Sequence, residues 1–357
     1  MPQAANRCFS VAKNGEKNRA RGIARENERC YDKEIMNENK KIGVLARLAL
    51  LSATLIWGSS FVIMKNTVDA IPPHCLLAIR FTAACLLLAL AFHKRLPQIN
   101  KAYLKETALI GLCLFAAYSF QTTGLTETTP GKNAFLTAVY CVIVPFLYWV
   151  ADKKRPTLGN LLAAFLCLGG IGLVSLTQSL TIGVGDSRTL IGGLFFAGHM
   201  VCVTMFSRDK DPILITILQF AYCAVFSWLT AFFTEPLPVI GPEAVSGLVY
   251  LAVGCTAVAL GLQNFGQKYV PPAQAALILS LEAVFGVFFS VLLYHERISP
   301  RMGLGFLLIF ASILLSETWP ALCRRFGLAW PVPAAESAPP AGGIVSAADG
   351  NTAGAKK

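Results

Sequence analysis

Charge is what this sequence has least of. Only 14% of its 357 residues are Asp, Glu, Lys or Arg, against about 25% in an ordinary soluble domain, too few to cover a water-facing surface. Signatures of chemistry are missing too. No Gly-x4-Gly-Lys-Ser/Thr phosphate loop occurs, so the chain alone has no P-loop for ATP-driven work. His-Glu-x2-His, Gly-x-Ser-x-Gly and paired aspartates at membrane depth are likewise absent, which argues against an intramembrane enzyme. The eleven cysteines stand singly, without Cys-x2-Cys or Cys/His spacing, so no zinc site, disulfide framework, metal or cofactor is expected. Most of them, from Cys75 to Cys255, fall inside apolar blocks and read as small buried residues.

What the sequence has in quantity is apolar length. It is 55% hydrophobic, with mean hydropathy +0.57. Length alone would suggest about two domains, but blocks of about 20 apolar residues point to one polytopic bundle. The predicted spans lie near 44–64, 73–92, 106–126, 131–150, 157–177, 188–206, 213–233, 244–264, 273–294 and 301–319. The expected fold is therefore an all-α polytopic membrane protein of ten transmembrane helices. Pro130 and Gly131 place a turn between the third and fourth spans, which would otherwise merge.

The net charge of +11 would suit nucleic acid, but its distribution argues against that partner. Basic residues concentrate in alternate loops: Lys94, Arg95, Lys101 and Lys105; Lys153, Lys154 and Arg155; Arg208 and Lys210; Lys268. The opposite loops hold Lys65, Lys132, Arg188, Arg297 and Arg301. This bias predicts cytoplasmic N and C termini, with anionic lipid gathered near the basic loops. "HERISPR", in the last outward loop, fits least well. Residues 1–43 are polar, lack the apolar core of a signal peptide and read as a disordered tail. "MNENKKIGVLARLALLSATLIWG" has the form of a complete N-terminus, so translation is expected to start at Met36. Residues 327–357, rich in Pro, Ala and Gly, read as a flexible cytoplasmic end.

Two stretches repeat. "QTTGLTETTP" (Gln121, Gly124, Pro130) and "QNFGQKYVPP" (Gln263, Gly266, Pro272) share the pattern Q-x2-G-x5-P, 142 positions apart. Upstream, "PHCLLAIRF" and "PILITILQF" align Arg80 with Gln219; downstream, Gly159 and Gly303 each open a closing helix. The halves, 44–177 and 188–319, hold five spans each. Five is odd, so the second copy enters the membrane from the other side. Such inverted repeats are common in secondary transporters, where exchange of the two halves' conformations alternates access to a central site. Duplication in a bundle with no transport role is the plainer alternative.

"LIWGSSFVIMK", "AIRF", "TTPGKNAFLTAVYCVIVP" and "SLEAVFGVFFSVLLYHERIS", in this order and spacing, resemble the EamA family of the drug/metabolite transporter superfamily. The resemblance covers roughly 44–319. It implies a ten-helix inverted-repeat carrier of the plasma membrane that exports small metabolites such as amino acids. The family's ninth-span motif often reads Leu-Glu-Pro; here Ala283 stands in place of the proline, which puts a kink there in question.

Polar groups within the spans are the candidate substrate pathway, because each is costly in hydrocarbon. Glu282 lies about 13 Å into the ninth span at 1.5 Å per residue. It could bind a cationic group or carry a coupling proton, or else serve a helix–helix hydrogen bond neutralised by a proton or an Arg. Arg80, in the second span, offers a planar fork of donors to a substrate carboxylate; its plainer role is a structural pair with Glu282. His199, in the sixth span, can donate and accept near neutral pH, or be a satisfied bundle histidine packed beside Gly192, Gly193 and Gly198. Trp57, Tyr118, Tyr140, Gln121, Gln263 and Asn264 complete the set. Aromatics among them could hold flat or cationic substrates, though core packing and interface anchoring are the commoner uses. The 142-residue offset pairs Tyr140 with Glu282. The "WGSS" run reads as close packing, and Pro145 should kink the fourth span. A small-molecule carrier lined by spans one to four and six to nine is the expected function. The alternatives are a nucleotide-sugar carrier of the same fold, which would need more deep Lys/Arg than Arg80, and an intramembrane enzyme.

Overall fold

The computed structural model describes residues 41–326 apart from 154, 177–181, 207–209, 239, 271–274 and 276–277. The proposed start at Met36, the tails, Lys154, Arg208 and Pro272 lie outside the described residues. The described chain is almost wholly helical, and its one β-bridge, Leu176 to Ile182, is isolated. The helices are α1 Lys41–Val68, α2 Pro73–Ala91, α3 Lys101–Leu125, α4 in two pieces (Pro130–Ala138 and Tyr140–Asp152), and α5 Leu158–Ser175. There follow α6 Val184–Phe206, α7 Pro212–Thr234, α8 in three pieces (Pro242–Val249, Tyr250–Val258, Ala259–Tyr269), α9 Leu281–Leu293 and α10 Pro300–Phe326. Eight of these are long and apolar enough to cross a membrane, and Leu281–Leu293 and Pro300–Ser316 are shorter apolar helices.

Local chemistry sets the ends. Prolines stand in the first turn of α2, α4, α7 and α8, where a missing N–H costs nothing. Asn100 caps α3 by accepting from Ala102 N at 3.0 Å and Tyr103 N at 3.1 Å. Thr157 and Asn160 form a capping box on α5. Hydropathy marks only the apolar part of a helix, while its hydrogen bonds run on to the next breaker. Hence α1 starts before residue 44, α6 starts before 188, and α10 runs past 319, so that Arg324 and Arg325 sit in its last turn.

Three pairs of equivalent helices from the two halves pack against each other antiparallel. At one end of the α2–α7 pair Arg95 meets Asp211 at 2.6 Å; at the other His74 meets Glu235 at 2.7 Å. In α5–α10, Asn160 Nδ2 donates to Ser316 Oγ at 2.9 Å near the start of α5. Towards its end, Arg301 reaches Gly172 O at 3.4 Å. In α4–α9 the start of α4 lies against the middle of α9 and the residues after it, Ala134 against Gly286 and Gly131 beside Val287 and Glu296. Copies that pair antiparallel are related by a two-fold axis across the helices. The repeats are inverted.

Two glycines from the repeated motif make matching crossings. A Cβ on Gly124 (α3) would fall 2.6 Å from Thr189 Oγ1 and 2.7 Å from Gly185 O of α6. A Cβ on Gly266 (α8) would fall 2.4 Å from Leu50 Cγ and 3.0 Å from Ala46 O of α1. Both helix pairs approach through a bare backbone. Gly303 does not match Gly159 in this way: a Cβ on Gly159 would collide with Trp319, while one on Gly303 would meet only Ile298 at 3.9 Å. Gly305, packed on Gly170 and Val174, takes the crowded role in α10.

Three helices are irregular at mid-length. α4 breaks at Val139, where Val142 N bonds Val139 O at 3.0 Å. Pro145, where the sequence predicts a kink, lies within the second piece, C-terminal to this tight i→i−3 turn. α9 breaks at the matching place without a proline. Ser280 is a turn residue, and Ala283 N bonds Ser280 O at 3.2 Å. In α8, Tyr250–Val258 is π-helical, while the equivalent part of α3 is α-helical. Large apolar side chains such as Phe165, Leu90 and Phe232 point outwards at 73%, 74% and 81% exposure, as lipid contact requires, while Arg80, Gln219, Asn133 and Glu282 are buried.

Candidate functional site

A cavity of about 40 Å³ lies among α1, α3, α4, α6, α8 and α9. Its lining follows the internal repeat. Trp57 and Phe196, Ser60 and His199, and Phe61 and Met200 line it from α1 and α6, each pair 139 positions apart. Tyr118 and Leu260, Gln121 and Gln263, and Tyr140 and Glu282 line it from α3/α8 and α4/α9, each pair 142 apart. Met64, Leu114 and Thr137 complete the wall. Residues exchanged by the two-fold face one space, so the cavity sits on the axis.

Seven of the nine candidates therefore meet here: Glu282, His199, Tyr140, Trp57, Gln121, Gln263 and Tyr118. The breaks in α4 and α9 explain how two of them are presented. Tyr140 opens the second piece of α4, and Glu282 lies in the first turn of α9. No hydrogen bond or ion pair reaches the Glu282 carboxylate among the described residues, although its side chain is buried. Three of the other groups are tied. Trp57 Nε1 donates to Cys255 O at 2.9 Å, Gln121 Nε2 to Thr137 Oγ1 at 3.0 Å, and His199 Nε2 lies 3.0 Å from Gln219 Oε1.

Two candidates stand outside the cavity. Asn264 donates to Thr216 and ties α8 to α7. Arg80 is fully buried on α2, its Nε bonded to Thr256 Oγ1. Its guanidinium carbon lies 4.8 Å from the centre of the Tyr118 ring, behind the cavity wall. Nη1 and Nη2 have no hydrogen-bond partner among the described residues. The expected pairing of Arg80 with Glu282 does not occur, because Tyr118 faces the cavity between α2 and the axis. α2 and α7 form a pair behind the lining helices rather than part of the lining itself.

Sequence reasoning missed Phe61, Met64, Leu114, Thr137, Phe196, Met200 and Leu260, and assigned Ser60 to packing. Carrying the repeat offsets through every candidate would have found Phe196 and Leu260, the partners of Trp57 and Tyr118. It also missed a group of ionic ties at the face where α1 ends. Lys132 of α4 meets Asp186 of α6 at 2.6 Å, and Asp186 also accepts from Thr128 Oγ1 at 2.6 Å. Arg188 meets Glu127 at 2.7 Å. Glu296, from the "HERISPR" loop, accepts from Gly131 N at 2.9 Å and from Thr129 and Ser290. Beside them, Glu235 accepts from His74 N at 2.9 Å and Cys75 N at 2.8 Å, capping α2, while His74 Nε2 lies 2.7 Å from Ser119 Oγ. The order Ser119–His74–Glu235 is that of a hydrolase triad, but the carboxylate's bonds to the α2 amides make it a clamp joining α2, α3 and α7.

Family comparison agrees with this architecture. The profile of the EamA-like transporter family matches residues 44–176 and again 184–318, one copy on each side of the α5–α6 connection. The chain belongs to the EamA-like transporter family. This EamA-like transporter is 33% identical over 276 residues to an uncharacterized transporter of Archaeoglobus fulgidus, covering 76% of this chain and 85% of the relative. It is 24% identical to the uncharacterized transporter YoaV of Bacillus subtilis, over 76% of this chain and 97% of that one. One crystal structure superposes with a TM-score of 0.59 at 17% identity, covering 79% of this EamA-like chain and 98% of the other; this likeness speaks for the fold alone. The protein is a multi-pass integral membrane transporter.

Proposed function

We propose that this EamA-like transporter is a secondary carrier that moves small metabolites, amino acids among them, by alternating access to the axial cavity. The observation that supports this best is the six repeat-related pairs around one space. A site on the axis keeps the same neighbours when the two repeats exchange conformations. At about 40 Å³ the space is too small for a metabolite, so the walls separate when substrate enters.

The site's chemistry suits a zwitterion. Glu282, buried and without a hydrogen-bond or ion-pair partner among the described residues, takes the ammonium group or, in its absence, a coupling proton. Arg80 takes the carboxylate through Nη1 and Nη2 once the Tyr118 ring swings aside. A nucleotide sugar fits less well, since Arg80 is the deep cation and it stands behind the wall. The basic loops face the cytoplasm of a plasma membrane, with anionic lipid against them.

Uptake into proteoliposomes of a panel of labelled metabolites, with and without a pH gradient, tests the proposal. Glu282→Gln is expected to abolish gradient-driven uptake while leaving the protein folded. Unchanged gradient-driven uptake in that variant would remove the proton and ammonium role. Turnover of a membrane lipid with no vectorial movement would reject the carrier itself.

A further inference from the structure

We propose that Gln263 is a substrate ligand, a second acceptor beside Glu282, and that the pair selects a primary ammonium group over a fully methylated one. This rests on the reading of Glu282 as the ammonium site and deepens it by naming the residue that counts N–H donors.

The polar groups of the cavity wall divide unevenly. Trp57 Nε1 donates to Cys255 O at 2.9 Å, Ser60 Oγ to Trp57 O at 2.7 Å, and Gln121 Nε2 to Thr137 Oγ1 at 3.0 Å. His199 Nε2 lies 3.0 Å from Gln219 Oε1, a contact it makes by donating. Each of these lining residues spends a donor on the protein. Two acceptors in the same lining receive none. Gln263 Oε1 is buried without a hydrogen-bond partner among the described residues, and the Glu282 carboxylate likewise has none. Both residues are 6% exposed, and an acceptor left in that state costs free energy that a ligand's donor recovers.

The internal repeat explains why Gln263 is left free. Its counterpart Gln121 is anchored by Thr137. The residue 142 positions after Thr137 is Leu279, fully buried and without a hydroxyl. By the same offset Glu282 stands where the first repeat has Tyr140. The second repeat has thus lost a side-chain anchor and gained a carboxylate, and both changes act on the α8–α9 side of the cavity. Aromatic walls such as Trp57 and Tyr118 would attract any organic cation. The two acceptors discriminate: a primary ammonium offers an N–H to each of them, and a quaternary ammonium offers none.

The probes are n-butylammonium and tetramethylammonium, isomers of equal charge that separate the number of N–H donors from size. Titration calorimetry on the purified full-length protein in detergent measures both. The native chain is expected to bind n-butylammonium about 100-fold more tightly, roughly tenfold for each acceptor satisfied. Gln263→Met keeps the side-chain length without the amide and should reduce this preference to about tenfold, by weakening n-butylammonium. Glu282→Gln should abolish binding of both ions. Thermal unfolding confirms that each variant is folded; should Gln263→Met fail to fold, Gln263→Leu takes its place under the same criteria. An unchanged preference in Gln263→Met is what a purely structural glutamine would give, and it would overturn the proposal while leaving the Glu282 reading intact. A native chain that binds the two isomers equally would do the same. Binding of neither ion, or binding that survives Glu282→Gln, would overturn the ammonium role of Glu282 and this proposal together. The expected preference in a protein that moves none of the labelled metabolites would instead sink the carrier reading and leave the acceptor pair standing.

Discussion

Single glycines show how narrow the tolerances are. At Gly266 the space for a Cβ is already held by Leu50 and the Ala46 carbonyl, whereas at Gly261, on the same helical piece, nothing lies within 4 Å. Gly266→Val should cost about 1–3 kcal/mol, the usual range for overpacking, and Gly261→Ala should be neutral or slightly stabilising. Thermal unfolding in detergent compares them. Gly124 and Gly266 were visible in the sequence as a repeated motif, but the reason for the motif was not, because a glycine in a turn signal and one at a helix crossing look alike. Tyr140 and Glu282 were legible as a pair because the offset is arithmetic. The separation of Arg80 from Glu282 was not, because it depends on where the Tyr118 ring lies.

Helix by helix, the sequence was most readable in number and least in facing. In a soluble helix the apolar stripe marks the inside; here lipid-facing and inward-facing sides are both apolar, so periodicity could not show that α2 and α7 stand back from the cavity. The irregular segments had no local signature either. Pro145 gave no sign of the break at Val139, and Ala283 gave none of the turn at Ser280. The π-helical part of α8 is held by groups from neighbouring helices: Trp57 on Cys255 O, Ser59 2.6 Å from the Tyr250 hydroxyl, and Arg80 on Thr256. Thr256 also donates to Leu251 O at 2.8 Å, five residues back, which is the π spacing. Thr256→Val removes both bonds and leaves the buried Nε of Arg80 unpaired. It should cost about 1.5–3 kcal/mol, as hydrogen bonds to charged groups do, measured by denaturant titration. Ser59→Ala, at a half-buried position, should cost less.

For the whole molecule, charge distribution is the ground for the proposed orientation. Lys94, Arg95, Lys101, Lys105, Lys153, Arg155, Lys210 and Lys268 lie towards one face, accompanied by Asp211 and Glu106 in ion pairs. At the other face Lys65, Lys132, Arg188, Arg297 and Arg301 are offset by Asp69, Glu127, Asp186, Glu235 and Glu296. A fluorescent reporter that matures only in the cytoplasm should therefore light up when fused after Lys357 and stay dark when inserted in the α7–α8 loop. The opposite pattern would invert the orientation.

The salt bridge between Lys132 and Asp186 also meets a limit set by detailed balance. It can lengthen the time the empty protein spends facing one compartment, and with it the concentration that half-saturates each side. It cannot make the substrate's final concentrations unequal, because whatever slows one direction of the cycle slows its reverse. Any accumulation must come from a second species that crosses in the same cycle and runs down its own gradient. A tie between the halves such as Lys132–Asp186 acts on the waiting alone; the balance between compartments is decided elsewhere in the cycle.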